Sequence, residues 1–342
     1  GMRKIFGAVL LVLATTMTGV VGVPGTAAHA DNTGVLRIML AGDSITQGFD
    51  GDYTWRYRLY EALTQMHVSF DFVGPRTEPY GGRDVYLATG WDTDHDAKGG
   101  TTLNAQLENI TADMTAYQPD VLVALYGTND LHNGATPDQL MDRWRNYIAQ
   151  ARAVRPDVKL ILGETYAQIA YGHAEANDKL HELASELSTP ESPILVADLD
   201  NPDFVLSRDT YDHTHPTPTG ETLIAQKVLD QLQVQGVVPE APQIASPYVP
   251  WAPPVKPVVH RVGQRLVLDW LGSKHRYRAR EMRVRWTNLR TGRTSTTRWA
   301  RWPNHKRTGV LAPGRYRVQA QASRRSMVSL WGPAVIRRVP RH

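Results

Sequence analysis

Three short stretches hold residues that can do nucleophilic chemistry together. Gly42-Asp43-Ser44 follows an apolar run, and the glycine lets the chain turn so that the serine hydroxyl and its backbone N–H are both exposed. A serine hydroxyl is a weak nucleophile near neutral pH and needs an imidazole as base, itself oriented by a third group. Asp212 and His215, three residues apart in Tyr211-Asp212-His213-Thr214-His215-Pro216, supply both. Asn129, in Gly127-Thr128-Asn129-Asp130, can aim an amide N–H at an oxyanion, a contact worth about 3 kcal/mol of transition-state stabilisation elsewhere. Each stretch also has a plainer reading, since Gly, Asp, Ser and Asn are ordinary turn residues. Thr46 breaks the G-x-S-x-G elbow pattern, which disfavours the α/β-hydrolase superfamily.

The elements around these stretches must bring them to one place. Apolar or β-branched runs at Val35-Leu40, Phe70-Val73, Val121-Leu125, Val158-Leu162 and Ile194-Ala197 predict strands. They alternate with helical spacing at Tyr57-Met66, Leu103-Tyr117, Leu140-Val154, Asn177-Leu187 and Thr222-Leu232, the last capped by Thr217 with Pro218 in its first turn. This rhythm predicts an α/β fold of three layers, a mostly parallel sheet with helices on both faces. Ligands of such sheets collect beyond the carboxyl ends of the strands, where Ser44 and Asn129 fall.

Taken in order, Gly42-Asp43-Ser44, a glycine near 100, Gly127-Thr128-Asn129-Asp130 and Asp212-x-x-His215-Pro216 resemble the blocks of the SGNH (GDSL) hydrolase superfamily over about residues 35 to 234. The resemblance implies Ser44 as nucleophile, His215 as general base and acid, and Asp212 as its orienting carboxylate. It further implies an oxyanion hole from the Ser44 N–H, a glycine N–H and the Asn129 side chain. Asp92-Thr93-Asp94-His95-Asp96-Ala97-Lys98-Gly99-Gly100-Thr101-Thr102 is similar to a segment of SGNH carbohydrate esterases of the acetylxylan esterase type, as are Phe70-Asp71-Phe72-Val73-Gly74 and Tyr117-Gln118-Pro119-Asp120. Aligned on His95, the segment points to Gly100 for the oxyanion hole, with Gly99 a rival. Lys98, Gly99 and Thr101 depart from that pattern. Asp43 reads as structural, holding the serine loop.

The rest of the chain sets the context. Of its 342 residues 42% are hydrophobic and 21% charged, which excludes whole-chain disorder, and length predicts two domains. The absence of cysteine removes disulfides, thiol nucleophiles and iron–sulfur centres. Residues 1–30 read as a signal peptide, with Arg3 and Lys4 before the apolar run Ile5 to Ala14 and Ala28-His29-Ala30 at the cleavage position. The expected product is secreted and carries no membrane span. The domain reading is 31–236 for the hydrolase, 237–257 for a linker with seven prolines, and 258–342 for a basic module. From Ala245 on there are 22 basic residues against Asp269 and Glu281, a balance of +20 that leaves −16 for the remainder.

Runs at Arg265-Trp270, Met282-Thr287, Thr294-Trp299, Gly314-Ala320 and Ala334-Val339 predict an all-β sandwich, and Trp270 with Tyr316 resembles a fibronectin type III module. Alternating arginines at Arg276-Arg280 and in Arg283-Val284-Arg285-Trp286 predict a basic face that attracts an anionic polymer or docks on the acidic first domain. Trp299 and Trp302 are candidate sugar platforms beside it. No dinucleotide or P-loop motif occurs, and no nucleic-acid partner or cofactor is expected. Asp92, Asp94, His95 and Asp96, or Asp212, His213 and His215, allow a metal site to be drawn, but a hydrated acidic loop and a catalytic histidine account for them, so no metal is expected.

The expected function is a secreted serine esterase removing short acyl groups, acetyl foremost, from carbohydrate. The rivals are a lipase or phospholipase using the same residues on longer chains, and a catalytically silent polysaccharide-binding surface protein.

Overall fold

A computed structural model describes residues 34–49, 51–80, 86–245, 256–269, 281–301, 305–324 and 327–341. The expected signal peptide, Trp270, the Arg276-Arg280 run, Trp302 and residues 246–255 of the proline-rich stretch lie outside the described residues.

The first half is a parallel sheet wrapped by helices. Its strands are β1 (Leu36–Gly42), β2 (Phe70–Val73), β3 (Asp96–Ala97), β4 (Val121–Leu125), β5 (Lys159–Gly163) and β6 (Ile194–Ala197). They run in the order β2-β1-β4-β5-β6, all parallel, with β3 paired to the far end of β1. Strand β4 is apolar at every position and buried on both faces, as a central parallel strand must be. Alternate residues feed two cores: Met39, Leu122 and Leu160 point to one, Ile38, Val123 and Ile161 to the other.

The helices of this half are α1 (Ser44–Gln47), α2 (Trp55–Gln65), α3 (Leu103–Gln106), α4 (Ile110–Tyr117), α5 (Thr128–His132), α6 (Pro137–Val154), α7 (His173–Leu187), α8 (Leu206–Asp209) and α9 (Pro218–Val234). Residues of α3, α4, α6 and α7 cover the first core and those of α2 and α9 the second. Sequence spacing predicts one helix over Leu103-Tyr117, but the structure breaks it into α3 and α4. Asp130 accepts from the N–H groups of Leu103 and Asn104 at the start of α3, and Asn109 opens α4. Thr136 and Gln139 form a reciprocal capping box ahead of α6. Thr217 caps α9, with Pro218 at its first turn.

A buried ion pair, Arg58 to Glu221 at 3.2 Å, ties α2 to α9. Residues after α9 fold back onto this half: Val238 is buried in its second core, and Gln226 holds the Pro242 carbonyl and the Ile244 N–H.

The second half is antiparallel and sandwich-like. Strands β7 (Val258–Val262), β8 (Arg265–Asp269) and β11 (His305–Arg307) form one sheet. Strands β9 (Glu281–Asn288), β10 (Thr294–Thr296), β12 (Gly314–Arg324), β13 (Met327–Val328) and β14 (Val335–Val339) form the other. Val259, Leu266 and Leu268 of the first sheet share one buried cluster with Met282, Val284, Val318 and Ala320 of the second. Tyr211, from the loop that carries His215, is buried in the same cluster. The Tyr316 hydroxyl donates to the Ala312 carbonyl at 2.9 Å.

The basic alternation on β9 holds in space, and it occupies one face of Trp299. The Arg283 guanidinium sits 4.4 Å over the Trp299 ring and covers that face.

Candidate active site

Strand β1 delivers Gly42 to a turn that admits no side chain. A Cβ there would lie 2.3 Å from the Thr46 hydroxyl oxygen and 2.8 Å from the Leu125 carbonyl. Asp43 then caps the single turn of α1, its Oδ1 accepting from the Ile45 N–H at 2.9 Å. Burial is the main reason its pKa rises to about 6, partly countered by the Ile45 N–H and the charge of His215. Ser44 opens α1 directly beyond the sheet's carboxyl end.

The histidine arrives on the loop between α8 and α9. Thr210 bridges to Pro216 and the Tyr211 N–H donates to the His215 carbonyl, closing the loop. Inside it, Asp212 Oδ1 accepts from the backbone N–H groups of His215 (2.7 Å) and Thr214 (3.2 Å). Asp212 Oδ2 lies 2.6 Å from His215 Nδ1, and His215 Nε2 lies 2.9 Å from Ser44 Oγ, across 171 positions of sequence. With its proton on Nδ1, donated to the carboxylate, the ring leaves Nε2 free to accept from the serine hydroxyl. Burial works against the charge on Asp212, but the hydrogen bond and charge of His215, with the two backbone donors, outweigh it and hold its pKa below the ordinary value.

Two aromatic rings fix the imidazole. Phe49 meets it edge-on at 4.8 Å between centroids, and Tyr211 stacks on it at 5.8 Å. Tyr80 packs edge-on against Phe49. These rings come from loops with no periodic pattern, so sequence reasoning singled out none of them as site residues.

The remaining predicted residues converge on the same mouth. Ser44, Gly100, Asn129 and His215 line one pocket of about 200 Å³, whose apolar wall is Phe49, Tyr80 and Ile169. The two glycines differ. The Gly99 N–H donates to Gln47 Oε1 at 2.7 Å, and a Cβ on Gly99 would meet the Tyr80 ring at 2.0 Å. Gly100 has a left-handed φ of +78° and open space at its Cβ position. Among the described residues, the N–H groups of Ser44 and Gly100 have no hydrogen-bond acceptor. Asn129 Nδ2 donates to both the Thr101 carbonyl at 2.9 Å and Asp43 Oδ2 at 3.3 Å, so both of its amide hydrogens are engaged. Asn129 is presented by α5, which starts after Gly127 at a φ of +117°.

The acidic segment before Gly99 is used up internally. Asp92 accepts from the N–H groups of Phe72 and Asp94. Buried His95 contacts the Glu78 carbonyl and the Ala97 N–H, and Asp96 accepts from Gln106. Among the described residues no group of three or more His, Asp and Glu side chains is arranged to hold a metal ion.

A family model for GDSL-like lipase/acylhydrolase matches residues 40–223, which span the whole constellation. A multidomain esterase of Ruminococcus flavefaciens is 24% identical over 245 residues, 64% of this chain and 31% of that protein. The chain thus spans about a third of the length of the curated relative it matches. A family 3 carbohydrate esterase of Clostridium thermocellum is 25% identical with a TM-score of 0.51, covering 59% of this chain and 98% of that one. One from Talaromyces cellulolyticus is 24% identical with a TM-score of 0.54, covering 60% and 100%, a likeness of fold.

Proposed function

We propose, from the premise that this chain belongs to the GDSL-like lipase/acylhydrolase family, that it is a serine esterase removing short acyl groups, acetyl foremost, from carbohydrate. The observation that carries this reading is the unbroken relay from Asp212 Oδ2 through the His215 ring to Ser44 Oγ, with bonds of 2.6 and 2.9 Å. His215 takes the Ser44 proton as Oγ attacks the ester carbonyl, and Asp212 stabilises the imidazolium so formed. The N–H groups of Ser44 and Gly100, which have no acceptor among the described residues, receive the oxyanion, and Asn129 joins them by releasing its longer bond to Asp43. His215 then protonates the departing alcohol, and water repeats the cycle on the acyl-enzyme.

Gly100 is preferred to Gly99 because the Gly99 N–H is already held by Gln47. The pocket supports a short acyl group: it is small, about 200 Å³, and walled by the Phe49 and Tyr80 rings. The carbohydrate assignment is supported by the likeness to the clostridial carbohydrate esterase.

In this reading residues 1–30 direct export, 31–236 form the SGNH domain, 237–257 connect it, and 258–342 form a fibronectin type III-like module. The Tyr316 to Ala312 hydrogen bond supports the last as a tyrosine corner. No helix among the described residues is long and apolar enough to cross a membrane.

Turnover of p-nitrophenyl acetate and acetate release from acetylated xylan, each compared with Ser44→Ala, test the proposal. A loss of about 10³-fold or more on both substrates is expected. Undiminished turnover by Ser44→Ala would leave no role for this site in catalysis.

A further inference from the structure

We propose that the outer face of the β9–β12–β14 sheet binds an anionic polysaccharide bearing regularly spaced carboxylates. This rests on the reading that the substrate is a carbohydrate ester.

The strand registers set Gln321 opposite Arg283, Gln319 opposite Arg285, Arg317 opposite Ile336, and Arg315 opposite Arg338. Directly opposed residues share a face, so Arg283, Arg285, Arg315, Arg317 and Arg338 all project from the side away from the Val284, Val318 and Val335 core. The Cα atoms that carry them are thus about 7 Å apart along a strand, and those of Arg315 and Arg338 about 5 Å apart across two strands.

Two of the five guanidiniums are held against rings and amides. The Arg285 guanidinium lies 4.2 Å over the Trp331 ring, and Arg283 lies between Trp331 and Trp299 at 5.3 and 4.4 Å. Arg283 also donates to Gln321 Oε1 and Arg285 to Gln319 Oε1, while those glutamines donate to the Ser329 and Gly332 carbonyls.

Among the described residues none of the five arginines meets a carboxylate. Every ion pair among the described residues falls between Arg37 and Glu221. Glu281, on β9 ahead of Arg283, joins none of them. Burial, and then the like charges of Arg317 and Arg283, lower the pKa of Arg285, so these cations repel one another, and among the described residues no anion pairs with them. A face docked on the acidic first half would carry ion pairs to it, and among the described residues this one carries none.

The chemistry narrows the ligand. Planar guanidinium forks match carboxylates two bonds at a time. Single-stranded nucleic acid binds by stacking bases on aromatic faces, and here guanidiniums occupy faces of both tryptophans. The consequence for catalysis is a tether. The remainder of the chain, at −16, is repelled by an acidic polymer, and the +20 module reverses that repulsion and raises the local concentration of ester.

The test uses the full chain in affinity gels containing polygalacturonate, neutral xylan, or single-stranded DNA in separate lanes. At about 50 mM salt we expect at least tenfold tighter binding to polygalacturonate than to xylan, weakening steeply by about 300 mM. The triple variant Arg315→Gln, Arg317→Gln, Arg338→Gln, whose altered side chains make no hydrogen bond, should lose at least tenfold in binding and keep its p-nitrophenyl acetate turnover. Salt-independent binding, equal retention by xylan, unchanged binding by the triple variant, or DNA retained as tightly as polygalacturonate each overturns the proposal. Failure of the esterase reading is seen separately, as missing acetate release with binding intact.

Discussion

Replacing Asp212 by asparagine separates its two tasks. In the native site Oδ1 holds the backbone of His215 and Thr214, and Oδ2 receives Nδ1. An asparagine keeps its oxygen on the two backbone donors, which have no other acceptor, and so turns its amide N–H₂ toward Nδ1. The ring then accepts at Nδ1 and carries its proton on Nε2, pointed at Ser44, where it cannot act as base. Restoring the working tautomer sacrifices a charge-assisted bond worth roughly 1.5–3 kcal/mol and sets two donors against each other, roughly 3–5 kcal/mol in all. At about 1.4 kcal/mol per decade this lowers kcat by roughly 10²–10⁴. The side chains of His215 and Asp212 are 16% and 23% exposed, so water relieves part of the conflict and favours the lower end.

The assay is steady-state hydrolysis of p-nitrophenyl acetate with thermal unfolding of the same samples. For Asp212→Asn the Tm should stay within about 2 °C and KM within about threefold. Asp212→Ala should lose activity and also lower Tm, because the loop anchors go with the carboxylate. An asparagine variant keeping more than about a third of native kcat would refute this account of the relay.

Further outcomes follow from neighbouring residues. Asn129→Ala should lower kcat by about 10²–10³ with little change in KM, whereas Gly99→Ala, which must displace Tyr80, should act mainly on KM; steady-state kinetics on one short ester separates them. Asp43 predicts a pH effect on stability: between its ordinary pKa of 3.8 and the folded value of about 6, the folded chain holds a proton that the unfolded chain has lost, so stability falls as pH rises through that window. Asp43→Asn, which retains an acceptor for the Ile45 N–H, should flatten this part of the denaturation-midpoint profile, and an unchanged profile would contradict it. Across p-nitrophenyl esters, kcat/KM should fall beyond about four acyl carbons because the pocket lined by Phe49, Tyr80 and Ile169 is small, and rates rising past eight carbons would favour a lipase.

How much of this was legible in the sequence depends on whether a residue's role is local. Strands β2, β4 and β6 begin and end where their apolar runs do, because burial within the sheet and the run of β-formers impose the same limits. Ser44, Asp212 and His215 were readable because turn chemistry fixes each of them within a few positions. The break between α3 and α4 was not, since helical spacing of apolar residues runs straight through it from Leu103 to Tyr117. Alignment on His95 points to Gly100 but leaves Gly99 a rival, because what separates the two is the Gln47 side chain, three residues after the serine, which holds the Gly99 N–H. The clamp of Phe49 and Tyr211 on His215, and the stacking of Trp331 on Arg285, are contacts between distant segments and leave no periodic trace.

The central claim is that Ser44 is the atom source of the acyl-enzyme. Mass spectrometry of the full chain after brief exposure to a fluorophosphonate should find one adduct per molecule, on the peptide containing Ser44, with turnover lost in proportion to labelling and no adduct on Ser44→Ala. Stoichiometric labelling elsewhere, or full turnover by a chain already labelled at Ser44, would contradict it.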